Sequence, residues 1–263
     1  MDPVDQQQRM WTIGDYPRVA RHLLPISVDA VRSLQLEPGQ KVLDIAVGNG
    51  NAAVEAARQG AKVVGVDLTP AQIERARQRC AADGVEVELR VGDAQALDVE
   101  TGSFDAAVSV MGMIFAPDHA AATAEMARAV RPGGRLALTA WATGGWSTAW
   151  RSKLRELMPP PTPGLTPDDW GDPEEAARRL AAVGVDAHVE QRGFTWAFAT
   201  YDDAFDTFTT AAGPFVAFMS AMAASGQADL ARRRFMEAME EENEATDGTC
   251  RLAAPYLLVT AVR

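Results

Sequence analysis

An α/β fold on a doubly wound, mostly parallel sheet is predicted by three observations. Short β-branched runs alternate with segments of helical spacing as far as residue 141. Glycine-bearing turns close several of these runs, and an acid stands at the end of each of the first two. The residues that could carry chemistry cluster at the predicted carboxyl ends of the strands, where a doubly wound sheet places its ligands.

Taken in order, residues 9 to 35 carry two helical patterns split at Pro25, with Val19, Leu23 and Leu24 on the first and Val28, Val31 and Leu34 on the second. Ahead of them Trp11-Thr12-Ile13-Gly14-Asp15-Tyr16-Pro17 reads as an aromatic turn, with Asp15 and Pro17 as helix-start signals. This arm either packs as structure or closes as a flap that brings Trp11 or Tyr16 over a ligand.

The first strand lies in Lys41 to Asn51, KVLDIAVGNGN. Val42, Leu43, Ile45 and Val47 lead into Gly48 and Gly50, and Asn51 opens an Ala-rich helix. Such a junction presents free backbone N–H groups and a positive helix end, and its glycines admit a ligand close to the backbone. A nucleotide-like ligand is expected. Gly48, Gly50 and Ala53 also satisfy a dinucleotide pattern, which alone is weak. Asp44 discriminates, because an acid there repels a pyrophosphate and welcomes an ammonium. It favours S-adenosylmethionine (SAM) over NAD.

Gly60 stops the helix, and Lys62 to Val66 forms a second strand ending in Asp67, where an acid can bond both ribose hydroxyls. Thr69-Pro70 starts a helix with Ile73, Ala76 and Cys80 on one face, and Gly84 ends it. A third strand is expected at Val85 to Val91, followed by Gly92-Asp93-Ala94. A fourth, Phe104 to Val110, leads through Met111-Gly112-Met113-Ile114-Phe115 to a helix from about Pro117 to Val130. Arg131-Pro132-Gly133-Gly134 reads as the turn before a fifth strand, Arg135 to Trp141.

Composition narrows the function. A chain of 263 residues with 47% hydrophobic content supports one large domain with a real core. Its formal charge of -11 opposes binding to a polyanion, so nucleic acid is not expected as a partner. No leader-like segment or apolar run of about 18 residues is found, so no membrane partner is expected and a cytoplasmic location is. Cys80 and Cys250 lack metal-ligand spacing and are expected to be small buried hydrophobes, with no metal site.

These motifs together resemble the class I SAM-dependent methyltransferase domain over residues 11 to about 141, more narrowly the ubiquinone/menaquinone-type and actinobacterial small-molecule methyltransferases. The resemblance implies a Rossmann-like sheet of seven strands. The family's D-x-G-x-G-x-G motif, which holds the methionyl part of SAM, is represented by Asp44, Ala46, Gly48 and Gly50, with Ala46 departing from a glycine. By the same resemblance Asp67 would bind the ribose, Leu68 would pack on adenine, and Asp93 with the Ala94 backbone would bond its edge. Trp11, Tyr16, Val110 and Met111 complete the expected cofactor set. The strand-four exit, Ser109-Val110-Met111-Gly112, differs from the Asn/Asp-Pro-Pro-Tyr/Phe of enzymes that methylate exocyclic amines, and no cysteine stands there for cytosine C5 chemistry. Small-molecule O-, N- or C-methylation remains.

Methyl transfer from a sulfonium needs positioning, exclusion of water and, for a hydroxyl or acidic carbon, deprotonation. Of the three histidines, His119 alone follows strand four closely enough to be a candidate base at the cleft edge. Residues 142 to 172 hold Trp146, Trp150, Trp170 and the run Met158-Pro159-Pro160-Pro161-Thr162-Pro163, which cannot form one regular element. A helix from Pro173 to Val183 and a strand from Ala187 to Phe198 follow. Residues 201 to 245 return to helical spacing with a Phe/Met stripe, and Arg251 to Val262 gives the last strand.

The expected organisation is a helical cap at 1–35, a SAM-binding core at 36–141, and a completing part at 142–263 with a helical acceptor-binding insertion at about 199–248. Met113, Phe115, Trp146, Phe215 and Met219 are the expected acceptor contacts. The expected function is methylation of a small organic molecule of aromatic or polyketide-like type, the chain acting alone or as a homodimer. The alternatives are a cyclase that retains the methyl group and a non-catalytic SAM-binding regulator.

Overall fold

In the computed structural model, which describes residues 3–158 and 166–263, β1 (Lys41–Ile45) is buried at every position after Lys41. A strand covered on both faces needs neighbours on both sides and helices above and below. It has them. β1 pairs in parallel with β2 (Lys62–Asp67) and with β4 (Phe104–Val110). Outward lie β3 (Val87–Val91) beside β2 and β5 (Val130–Trp141) beside β4. Beyond β5 come β9 (Tyr256–Val262), antiparallel to both its neighbours, and β6 (Ala187–Arg192). The resulting order, β3-β2-β1-β4-β5-β9-β6, reverses direction between β1 and β4. That switch point opens a crevice at the carboxyl edge.

The helices start where the sequence supplies stops and caps. α4 (Asn51–Arg58) begins at Gly50, and α5 (Pro70–Asp83) runs from Thr69 to a left-handed Gly84. In α6 (His119–Ala129) the Asp118 side chain accepts from the Ala121 N–H. α8 (Pro173–Ala181) is capped by Asp172 in the same way. Cys80 and Cys250 are buried free thiols.

Four details depart from expectation. The N-terminal region forms three helices, α1 (Pro3–Thr12), α2 (Tyr16–Ala20) and α3 (Leu24–Ser33). Pro25 lies in the first turn of α3, where its missing N–H costs nothing, and Trp11 belongs to the end of α1 and not to a turn. Arg131 to Gly134 lies inside β5, with a bulge between the Val130 and Arg135 pairings. The strand expected over 187–198 divides at Gly193, because β7 (Thr195–Phe198) leaves the main sheet to pair with β8 (Cys250–Ala253). The last strand divides likewise into β8 and β9. The proline run 159–163 lies outside the described residues.

Between β7 and β8 stand α9 (Tyr201–Ala211), α10 (Gly213–Ala224) and α11 (Ala228–Glu242). α9 packs on α2, α10 on α1, and α11 on α7 (Trp146–Leu154). A Cβ at Gly213 would come within 2.1 Å of the Met10 carbonyl oxygen, so α1 and α10 meet backbone to backbone. Among the described residues no single helix is long and apolar enough to cross a membrane; α9 and α10 pass that test only as a pair bent by 92°.

Candidate active site

The carboxyl ends of β1 and β2 hold two acids in close company. Asp44 is 2% exposed, accepts from the Ala53 N–H, and leaves Oδ2 without a hydrogen bond to any described residue. Burial pushes its carboxyl up to about 8; the Ala53 N–H opposes the rise and neighbouring Asp67 adds to it. Asp67 is oriented by two backbone donors, Gly48 N–H to Oδ2 and Thr69 N–H to Oδ1, each at 2.9 Å. Burial raises it too, against the pull of those donors. Two crowded, raised carboxyl groups at a glycine turn make a site where a cationic ligand would favour the ionised form.

Ala46 takes φ +59° where the family motif has glycine. An L-residue in that region carries roughly 1–2 kcal/mol of strain. Its Cβ points into a tight corner, since a Cβ on Gly112 would lie 2.6 Å from it.

Over this turn sit α1 and α2. Tyr16 packs above Gly48, and Trp11 contacts Tyr16 and Phe115 edge to face, at ring-centroid distances of 5.8 and 4.9 Å. The cover is tied to the sheet by polar contacts. Gln8 Nε2 donates to Leu68 O at 2.9 Å, and Arg75 Nη2 to Gly14 O at 2.9 Å. Burial, with Asp67 adding, pushes the Tyr16 phenol up to about 12, so it stays a donor at neutral pH.

Three recesses meet at this point. One is bounded by Asp67, Leu68, Asp93, Ala94 and Met113, and a second by Ala46, Gly48, Gln72, Val110 and Met111. Trp11 and Phe115 belong to both, and also to the third. That third recess is aromatic, with Trp141, Trp146, Trp150, Trp196, Phe208 and Phe215 on its wall. Trp150 and Phe215 lie 4.5 Å apart. A larger open groove at the amino ends of the strands, by Lys41, Lys62 and Glu86, is mixed-charge surface on the opposite edge of the sheet.

Not every expected site residue reaches these recesses. Met113 borders the side of Asp67 and Asp93, not the aromatic recess, and Met219 borders none. Asp44 and Gly50, at the two ends of the turn, border none of the three recesses. Residues that the sequence did not single out for the site include Gln72, Arg75, Trp141, Arg151, Trp196 and Phe208. Trp150, noted but not selected, follows Trp146 by one helical turn on α7, a spacing that could have exposed it.

His119 is corrected most clearly. It is 3% exposed and lies off the recess walls. Arg179 donates to its Nδ1 at 2.8 Å, so Nε2 carries the proton and donates to the Ile114 carbonyl at 3.0 Å. Its ring packs on Trp170. Burial, then Arg179, pushes its pKa down. Both nitrogens are engaged in structure, so no base role is available. His119→Ala is therefore expected to keep turnover within a few fold of the parent while losing about 1–3 kcal/mol of stability, because the Ile114 carbonyl loses its donor and Arg179, still paired with Glu175, loses one acceptor. Urea melts beside initial rates check this; a hundredfold drop in turnover at unchanged stability would restore the base.

Comparison with known proteins agrees with this architecture. Residues 42–134 match a family model described as a methyltransferase domain. An uncharacterized protein of Mycobacterium bovis is 34% identical over 217 residues, covering 81% of this chain and 79% of that one. The demethylmenaquinone methyltransferase of Mycolicibacterium gilvum is 33% identical over 167 residues, covering 58% of this chain and 71% of that enzyme. The solved structure of the YcgJ protein from Bacillus subtilis superposes with a TM-score of 0.65 at 18% identity, over 90% of this chain and 98% of that one. With the sheet order, the acid-and-glycine turn and a methyltransferase relative matched over most of its length, the chain belongs to the class I SAM-dependent methyltransferase family.

Proposed function

We propose that this methyltransferase acts on a small, flat, largely apolar molecule of aromatic or polyketide-like type. One observation carries the reading: the aromatic recess adjoins the two recesses that border Asp67 and the glycine turn, and shares Trp11, Tyr16, Met111 and Phe115 with one or both of them. Ring faces and edges favour a flat apolar guest.

The residues present suit SAM. The unpartnered Oδ2 of buried Asp44, the raised carboxyls of Asp44 and Asp67, and the open backbone at Gly48 favour a ligand bearing an ammonium and a sulfonium. When bound, SAM supplies an activated methyl group. In the proposed assignment the turn Asp44 to Gly50 would hold the methionyl part, Asp67 the ribose, and Leu68, Asp93 and Ala94 the adenine. Gln95 Nε2 donates to both Asp93 oxygens at 3.0 Å, which fixes that carboxylate and leaves lone pairs for a further donor. Trp11, Tyr16, Val110 and Met111 would close the junction and keep water out. Residues 1–35 are proposed as the cap, 36–141 as the cofactor-binding core, and the helices within 199–248 as the acceptor roof.

Transfer from methyl-labelled SAM to a panel of aromatic and polyketide-like acceptors tests the reading. Labelled product supports it. A rearranged, unlabelled product would point to a cyclase, and SAM binding without turnover to a regulator. For an acceptor so found, Phe215→Ala is expected to raise KM about tenfold with SAM affinity kept, as one aromatic contact is lost. An unchanged KM would remove Phe215 from the site.

A further inference from the structure

Among the described residues, the wall of the aromatic recess carries one ionisable group besides Tyr16, the guanidinium of Arg151. α7 presents Trp146, Ser147, Trp150 and Arg151 to the recess, positions that share a helix face. Arg151 lies over the Trp150 ring with its central carbon 4.5 Å from the centroid. Its Nη1 donates to the Ser147 carbonyl at 2.5 Å and lies 3.0 Å from Asp168 Oδ1. Both contacts use Nη1. Among the described residues none accepts from Nη2 or Nε, so most of the planar donor fork is unspent. Asp168 is the more open partner, its side chain 45% exposed against 28% for Arg151. The guanidinium therefore faces an apolar chamber on one side and an exposed counter-ion on the other.

Among the described residues, the same wall holds no group able to take a proton from an acceptor. Its polar side chains are Tyr16, Ser147 and Arg151. Tyr16 remains a phenol at neutral pH, and the Ser147 hydroxyl is committed to the Ala142 and Gly144 carbonyls at 2.9 and 2.8 Å. His119 faces Arg179 and Ile114. His22 packs on Trp196 and Phe198 and lies off the wall.

We infer that the acceptor is an aromatic molecule bearing an acidic group, a phenol, enol or carboxylic acid, which enters already ionised and is held by Nη2 and Nε of Arg151. This rests on the acceptor reading proposed above. Charge-assisted bonds from a guanidinium to an oxyanion are strong in a chamber with little competing water. An amine acceptor in its cationic form meets a like charge there instead. The proton is lost to solvent before transfer. The nucleophilic lone pair of the ionised system then forms the bond to the methyl carbon as the carbon–sulfur bond breaks, its electron pair remaining on sulfur. A neutral thioether leaves.

Three naphthalene probes test the inference: 1-hydroxy-2-naphthoate, its neutral amide, and 2-naphthylmethylammonium. Binding is read from quenching of the recess tryptophans in enzyme saturated with S-adenosylhomocysteine, and methylation from labelled SAM. The naphthoate is expected to bind about tenfold or more tightly than the amide, and more tightly still than the ammonium. Arg151→Gln should weaken the naphthoate about tenfold and the amide less than twofold, and Arg151→Lys should restore part of the loss. Unchanged S-adenosylhomocysteine affinity certifies the fold of each variant. Equal binding of amide and naphthoate by the parent, or an equal loss of both in Arg151→Gln, overturns the inference. If the amide or the ammonium proves the better methyl acceptor, the aromatic-acceptor reading stands and the role of Arg151 falls. If no probe binds, both fall.

Discussion

Replacing Asp67 with alanine is expected to weaken SAM binding by about 1.5–3 kcal/mol, or ten- to a hundredfold. The expectation combines a proposed contact with an observed one. A carboxylate at the tip of β2 can accept from both ribose hydroxyls, and charge-assisted bonds of this kind are the strong ones. The same carboxylate already fixes the Gly48 and Thr69 N–H groups. Loss of the side chain frees the glycine turn as well as the ribose contact. Asp67→Asn separates the two effects, because one amide oxygen can keep a backbone donor while the charge is gone. Calorimetric titration of both variants, with melting temperatures as the control for folding, gives the answer. A folded Asp67→Ala protein that binds SAM as the parent does would remove Asp67 from the site.

How much of this was legible in the sequence depended on distance along the chain. β4 was readable over its full span because Phe104 to Val110 is a β-rich run between loop signals. β1, the glycine turn and Asp67 lie within one β-α-β unit, where local spacing decides geometry. β5 was read short because Pro132-Gly133-Gly134 carries turn chemistry, whereas Val130 pairs with Phe104 ahead of the bulge. The division at Gly193 left one local sign, a change of phase: Ala187 and Val189 fall on odd positions, whereas Phe194, Trp196 and Phe198 fall on even ones, and the pairing partner changes between them. His119 stands at the chain position expected for a cleft residue. Its direction is set by Arg179, sixty residues on, and no local pattern reports that. The aromatic recess draws Trp141 from β5, Trp196 from β7 and Phe208 from α9. Each alone reads as ordinary core, and only the crossing of three segments makes a chamber.

Asp44→Asn is expected to stabilise the ligand-free protein and to weaken SAM binding, with both effects set by pH. Burial holds the native carboxyl's pKa up to about 8, against a reference value of 3.8 in an unfolded chain. Between those values the folded protein binds the extra proton, so stability falls as pH rises from about 4 to about 8 and then levels. An amide at this position removes the dependence. It leaves an N–H group without a partner where Oδ2 now lies, which offsets the gain by about 1–3 kcal/mol. The net advantage of Asp44→Asn should therefore be small or negative at pH 5 and grow to roughly 2–4 kcal/mol by pH 8. Cofactor binding runs the other way. A cationic group beside Asp44 favours the carboxylate, so SAM should bind with release of a proton at pH 7, and its affinity should rise from pH 6 towards 8. The ligand's own α-amino group, with a reference pKa near 7.7–8.0, limits the rise above that. Calorimetry at pH 7 in two buffers of different ionisation enthalpy counts the proton. Binding with no proton release, or a stability difference between Asp44→Asn and parent that does not change with pH, would show that Asp44 is already ionised and that the glycine turn supplies a counter-charge of its own.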